Sequence, residues 1–94
     1  MATFLMFGKY TTESLKGMSA PRTEQALDLV KQFDGEVKAI YATLGPTDLM
    51  CIADFPDVGQ VIKASVALTK LTGIAFSTQP AVSVEEFDKL VSEV

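Results

Sequence analysis

The sequence has 94 residues, with no histidine, no tryptophan and one cysteine, Cys51. Histidine is the most common general base and the most common metal ligand, so its absence removes the usual centres of acid–base and metal chemistry. A single cysteine cannot close a disulfide within the chain, so the fold does not depend on oxidation. We therefore expect no bound metal and no cofactor.

Basic residues are few: eight lysines and arginines stand against twelve acidic residues, for a formal net charge of −4. Because phosphate backbones are bound by clustered basic side chains, this balance argues against a nucleic-acid partner. No apolar run approaches the roughly 20 residues needed to span a bilayer, so we expect no membrane partner. The first residues resemble neither a basic leader nor a cleavage site, and we expect a cytoplasmic protein.

Capping and turn residues divide the chain into a strand, a helix, two strands, a helix, a strand and a terminal helix. Strands are predicted at 3–10, 36–44, 49–55 and 74–79, and a single helical turn follows Thr11. The longer helices begin near Ser19, Asp57 and Ser83, each a good N-cap. Gly35 is expected to end the first long helix in the left-handed conformation.

This element order is the split βαβ pattern of the ferredoxin-like fold. We therefore predict an α+β domain spanning residues 1–94, with an antiparallel βαββαβ sheet and an extra C-terminal helix. The apolar fraction of 48% and the charged fraction of 21% are ordinary for one globular domain.

Apolar residues occupy both faces of the predicted sheet. Side chains alternate along a strand, which places Phe4 and Met6 opposite Leu5 and Phe7. The same alternation places Val37, Ala39 and Tyr41 opposite Ile40, Ala42 and Leu44. In the third strand it places Leu49, Cys51, Ala53 and Phe55 opposite Met50 and Ile52.

Two helices cover one face of such a sheet, and an uncovered apolar face usually marks an interface. We therefore expect a homodimer or higher oligomer that associates through the sheet face. The alternative is that the terminal helix folds back over this face, although a helix of about 11 residues is only ~16 Å long.

Four segments spread along the chain resemble a known family. They are Ser19-Ala20-Pro21-Arg22, Gly35-Glu36-Val37-Lys38-Ala39, Tyr41-Ala42-Thr43-Leu44-Gly45 and Glu85-Glu86-Phe87. They resemble the GYD-domain family, which is allied to the dimeric α/β-barrel group. The family's naming motif, a glycine closely followed by Tyr-Asp, reads Gly45-Pro46-Thr47-Asp48 here, with Thr47 in place of the tyrosine. The resemblance implies a dimeric barrel or a higher oligomer, and it implies no established activity.

Lys9, Tyr10, Tyr41 and Asp48 are the candidate ligand-binding residues. Asp48 matches the family motif, and a carboxylate at a hairpin tip can bind a cation or act as a base. Its structural alternative is to accept backbone N–H bonds that fix the turn. Tyr10 and Tyr41 are expected on the same side of adjacent strands, where with Lys9 or Lys38 they would line a pocket for a small anion or aromatic ligand. Their alternative is a core position with the hydroxyl at the rim.

Three other residues carry reactive or charged groups. Cys51 lies among apolar neighbours, where a thiol is inert. Asp54 is expected to reach solvent or to pair with a lysine. Arg22 is interpreted mainly as a solvated residue in the first turn of its helix, with an anion clamp as the alternative.

Two functions fit this sequence. The first is a non-enzymatic oligomeric module that binds a small organic ligand or a protein. The alternative is a cofactor-independent enzyme, monooxygenase-like or isomerase-like, which rests on analogy of fold. A roomy apolar pocket lined by several polar groups would favour the enzyme.

Overall fold

The computed structural model describes residues 1–94 and shows four strands and four helices. The strands are β1 (Ala2–Lys9), β2 (Glu36–Ala42), β3 (Leu49–Phe55) and β4 (Ala75–Ala81). The helices are α1 (Thr12–Lys16), α2 (Ala20–Gln32), α3 (Val58–Thr72) and α4 (Val84–Ser92). The strands form one antiparallel sheet in the order β2-β3-β1-β4. This confirms the predicted α+β class and is compatible with a ferredoxin-like fold. No helix has both the length and the apolar character that crossing a bilayer requires.

The helices begin at the predicted caps. Each cap side chain accepts a hydrogen bond from the backbone N–H three residues ahead, at 3.2 Å for Ser19, 2.9 Å for Asp57 and 3.1 Å for Ser83. These bonds satisfy N–H groups that have no partner inside the helix. Gly73 ends α3 with φ 75°, a left-handed conformation that suits glycine.

The end of α2 differs from the prediction at Gly35. The left-handed residue is Asp34, with φ 62°, an angle that aspartate tolerates better than most residues. Gly35 is buried beneath Phe55, and a Cβ atom placed there would lie 2.8 Å from ring atoms Cδ1 and Cζ. Glycine is needed at this position for the close approach of the backbone to a ring.

The core lies between the sheet and the two long helices. Phe4, Met6 and Phe55 are its large strand residues, and Phe4 meets Phe55 edge to face with 6.2 Å between ring centroids. Val30 from α2 and Leu68 from α3 cover the core on the side opposite the sheet. The alternation predicted for β1 and β3 is confirmed.

The alternation predicted for β2 is wrong at Val37, because a bulge interrupts the strand at Lys38, whereas Ala39 and Tyr41 lie opposite Ile40 and Ala42 as predicted. Val37 pairs with Ala53, whereas the next regular pairs are Ala39 with Ile52 and Ile40 with Cys51. An extra residue in one strand reverses the facing of every residue beyond it. Val37 and Ile40 therefore share the helix-covered face.

The face opposite the helices is apolar at its centre. Leu5 pairs with Ile52 and Phe7 pairs with Met50, and all four side chains are only half-buried. Tyr41 on the same face is 58% exposed. The helix α4 does not cover this face: none of its residues is buried, so the fold-back alternative is wrong.

One end of this open face is polar. Asp54 accepts a hydrogen bond from Thr3 Oγ1 at 2.7 Å and lies 3.7 Å from Lys38 Nζ. The predicted pairing of Asp54 with a lysine is therefore confirmed.

The two edges of the sheet are β2 and β4. The strand β4 carries no charged residue, and it contains Pro80 opposite Phe4.

Candidate functional site

A cavity of about 90 Å³ lies between the helices and the sheet. Thirteen of its 16 lining residues are hydrophobic. The sheet contributes Met6, Val37, Leu49 and Phe76, and α2 contributes Ala26 and Leu27. Because the wall is almost entirely hydrocarbon, the cavity favours an apolar occupant.

Four of the lining residues have polar groups in their side chains: Tyr10, Arg22, Thr23 and Thr72. Arg22 is half-buried, and its Nη1 donates hydrogen bonds to the carbonyl oxygens of Ser14 at 2.7 Å and Thr72 at 3.5 Å. The main interpretation of Arg22 as a solvated first-turn residue is therefore wrong. Its guanidinium joins α1 to the end of α3 beside the cavity.

The hydroxyl of Thr72 is also satisfied within the chain. Thr72 is buried, and its Oγ1 donates to the carbonyl oxygen of Leu68 at 2.8 Å and accepts from Ile74 N–H at 3.1 Å. Tyr10 forms a hydrogen bond only through its backbone N–H, so its hydroxyl is free for another partner. Among the cavity-lining residues, Tyr10 is therefore one whose hydroxyl has no partner within the chain.

Cys51 forms part of the cavity wall on β3. Burial raises the pKa of its thiol from 9.0 to about 11, because the thiolate would lose its hydration there. The thiol is neutral at ordinary pH, as an inert cysteine should be.

Asp48 and Lys9 connect the β2–β3 turn to the end of β1. Asp48 Oδ2 accepts from Tyr10 N–H at 2.9 Å, and Asp48 N–H donates to the Gly8 carbonyl at 2.9 Å. Lys9 Nζ donates to the Pro46 carbonyl at 3.1 Å. The carboxylate therefore has the structural interaction expected of a turn aspartate, and it holds the backbone of Tyr10 beside the cavity.

Tyr41 lies far from this arrangement in the sheet. The strands β1 and β2 are separated by β3, and Tyr41 pairs with Met50 on the face opposite the helices. The expectation that Tyr10 and Tyr41 share one side of adjacent strands is wrong. Whether Lys9, Tyr10, Tyr41 or Asp48 binds a ligand stays a prediction.

The sequence reasoning missed Met18 and Thr72 as cavity residues. Met18 follows α1, and its Sδ lies 3.1 Å from Arg22 Nη2. Thr72 is the last residue of α3. Fifty-four positions separate the two residues in the chain, so no local pattern indicates that they meet. No group of three acidic or thiol side chains is placed to hold a metal ion.

Comparison with known proteins gives one family. No curated protein and no solved structure shows a significant match to the chain. A family model described as GYD domain matches residues 4–91, which includes β1 from Phe4 onward, all of β2, β3 and β4, and most of α4. The chain therefore belongs to the GYD domain family.

Proposed function

We propose that this protein is a binding module that holds a small apolar ligand between its helices and its sheet. The observation that carries the proposal is the apolar cavity of about 90 Å³, which Tyr10 helps to line. A ligand there gains affinity from contact with Met6, Leu49 and Phe76. Tyr10 lines the same cavity, and its hydroxyl has no partner within the chain with which a polar group of the ligand would compete.

The same cavity favours binding over catalysis. Sites for drug-sized molecules usually measure roughly 300–1,000 Å³, several times the volume found here. The guanidinium of Arg22 and the hydroxyl of Thr72 already bond to backbone groups, and burial keeps Cys51 protonated. A proton-transfer reaction needs a positioned acid or base near the substrate, and these groups are committed elsewhere.

Two small apolar probes, xenon and benzene, test the cavity. We expect saturable methyl chemical-shift changes at Met6, Val37 and Leu49 when either probe is added to isotope-labelled protein. The variant Ala26→Leu places a larger side chain in the cavity and should remove this response. The matched control Ala20→Leu makes the same change at an exposed position outside the cavity and should retain it. Shifts that persist in Ala26→Leu, or that never saturate, would contradict the proposal.

We further propose that the module is a homodimer or a higher oligomer built through the open sheet face. Support comes from Leu5, Phe7, Met50 and Ile52, which remain half-buried on a face that no helix covers. Full burial of an aliphatic or aromatic side chain is worth about 1.5–3 kcal/mol. A second sheet packed on this face would recover part of that free energy for each side chain.

Sedimentation equilibrium at low micromolar concentration tests this association. The variants Phe7→Lys and Ile52→Lys put a charge at the centre of the face and should lower the average mass. Gln25→Lys adds the same charge to an exposed position of α2 and should leave the mass unchanged. A wild-type protein that sediments as a monomer would contradict the proposed interface.

We also propose a cytoplasmic location. Support comes from the single cysteine, because a fold without disulfides does not require an oxidising compartment. Fractionation of source cells, followed by immunodetection of the chain, provides the measurement. Recovery outside the cytoplasmic fraction would contradict the assignment.

A further inference from the structure

The helix α4 exposes an apolar stripe that nothing in its own chain covers. Val84, Phe87, Leu90 and Val91 lie on one side of the helix, and their exposed fractions run from 47% for Leu90 to 76% for Val84. No residue of α4 is buried. An amphipathic helix with an uncovered apolar stripe is typical of a helix that docks on another surface.

A groove with matching character runs between α3 and β4. Val58, Ile62 and Val66 form one side of the groove, and each is more than half exposed, at 58%, 57% and 51%. Phe76 and Pro80 of β4 line the other side, and the groove has a volume of about 360 Å³. The helix α3 is thus apolar on this outer side as well as on the side that faces the core.

The stripe and the groove agree in length. At about 1.5 Å per residue, Val58 to Val66 extends over roughly 12 Å along α3. Val84 to Val91 extends over roughly 10 Å along α4 by the same rise. One helix therefore fits along the other without leaving apolar side chains beyond the contact.

The charges of the two helices are complementary. Lys63 and Lys70 are the only charged residues of α3, and neither forms an ion pair within the chain. In α4, Glu86 and Asp88 are also unpaired, whereas Glu85 pairs with Lys89 at 3.9 Å. At 100° per residue Glu86 and Asp88 lie on the two sides of the apolar stripe, and Lys63 and Lys70 lie together on the side of the α3 stripe away from β4, so one of the two acidic residues would approach these lysines on a facing α3.

The short connection before α4 determines which groove the helix can reach. Only Val82 and Ser83 separate α4 from β4, and Ser83 is fixed as the helix cap. This short connection leaves α4 clear of its own α3 in a molecule 48 Å long and 18 Å thick. We propose that α4 of each protomer lies in the α3–β4 groove of another copy of the chain. The groove is on the helix side of the sheet, so this contact is separate from the open sheet face.

Cross-linking between two variants tests the arrangement. Ile62→Cys is made in a tagged chain and Leu90→Cys in an untagged chain, and the two are mixed with a short bifunctional maleimide. Native Cys51 is buried with a raised pKa, so it does not compete for the reagent. We expect a covalent heterodimer. Lys89→Cys places the thiol on the polar side of α4, away from the apolar stripe, and should cross-link to Ile62→Cys far less.

A chain carrying both Ile62→Cys and Leu90→Cys distinguishes the two possible grooves. Cross-linking between chains supports the proposal, whereas a product that stays at monomer mass shows that α4 occupies its own groove and overturns it. A heterodimer yield no higher than that of Lys89→Cys also overturns it.

Affinity measurements give a second test on intact chains. Phe87→Ser and Ile62→Ser should each raise the Kd of this association by about tenfold or more, because each removes apolar contact. Because α4 and the groove contact each other, the two changes together should cost less than the sum of their separate effects. A Kd within twofold of the wild type in both variants would refute the contact.

The proposed α4–groove contact and the proposed sheet-face interface can be tested independently. In a Phe7→Lys background the cross-link between positions 62 and 90 should persist, because the open sheet face is not part of the groove. Loss of the cross-link in that background, with folding intact, would show that α4 docks only as a consequence of the sheet interface. That result would overturn the proposal that the α4–groove contact forms independently.

Discussion

Replacement of Gly35 by alanine should destabilise the domain through a single steric contact. A Cβ atom at this position would lie 2.8 Å from two ring atoms of Phe55. Phe55 is fully buried and packs edge to face on Phe4, so its ring has little room to move. The φ of Gly35 is not in the left-handed region, so the cost is one of space and not of backbone conformation.

The magnitude follows from the cost of overpacking a core. Insertion of extra methyl or methylene groups into a well-packed interior typically costs about 1–3 kcal/mol. For a domain of this size each kcal/mol lowers the Tm by about 4–8 °C. We therefore expect Gly35→Ala to fold, with a lower denaturant midpoint and an unchanged m-value.

A double-mutant cycle identifies the ring as the cause. Phe55→Leu removes the ring atoms that the new methyl group would meet. In that background Gly35→Ala should cost at least about 0.5 kcal/mol less than in the wild type, the lower end of couplings between residues in contact. Denaturant unfolding followed by circular dichroism gives all four free energies.

A second glycine provides the control. At Gly59 the only atom close to an added Cβ is Asp57 Oδ1, 3.3 Å away on a side chain. Gly59→Ala should therefore change the free energy of unfolding by less than about 1 kcal/mol. If Gly35→Ala costs no more than Gly59→Ala, or costs the same with and without the Phe55 ring, the assignment of Gly35 to close packing is refuted.

Other contacts give further measurable changes. Asp48→Ala removes the acceptor of Tyr10 N–H and should lower the free energy of unfolding by about 0.5–2 kcal/mol in denaturant melts. Hydrogen exchange at the Tyr10 amide should become faster, and unaltered exchange would argue against the bond. Arg22→Met retains apolar contact but removes the donor to the Ser14 carbonyl, so urea melts should show a loss of about 1.5–3 kcal/mol; a neutral variant would show that the bridge contributes nothing. Because burial raises the pKa of Cys51 from 9.0 to about 11, its contribution to stability is complete below pH 9 and is lost as the pH rises to 11. Wild-type protein should therefore lose about 2–3 kcal/mol more than Cys51→Ala over that interval, and parallel pH profiles would contradict the shift.

Features set by neighbouring residues were predictable from the sequence. Ser19, Asp57 and Ser83 cap helices through bonds that reach only three positions along the chain. The alternation in β3 also follows from the strand alone. The order of elements then determined the sheet, because the split βαβ pattern has few compact solutions.

Features that depend on distant partners were not predictable. The bulge at Lys38 is defined by the register of β2 on β3, and this single inserted residue places Val37 on the opposite face from Tyr41, whereas regular alternation predicts one shared face. The role of Gly35 depends on Phe55, which lies 20 positions later. Arg22 lies in the first turn of α2, a position that by itself predicts a solvated side chain. Its partners are the carbonyl oxygens of Ser14 in α1 and Thr72 in α3, and only the packing of these helices brings them within reach.

Pro80 limits how copies of this chain can join. The strand β4 is an edge of the sheet and has no charged residue to repel a neighbouring strand. Proline has no N–H, so a strand added beside β4 would lack a ladder bond at residue 80. Growth of one continuous sheet by the addition of strands from other copies is therefore discouraged at this edge.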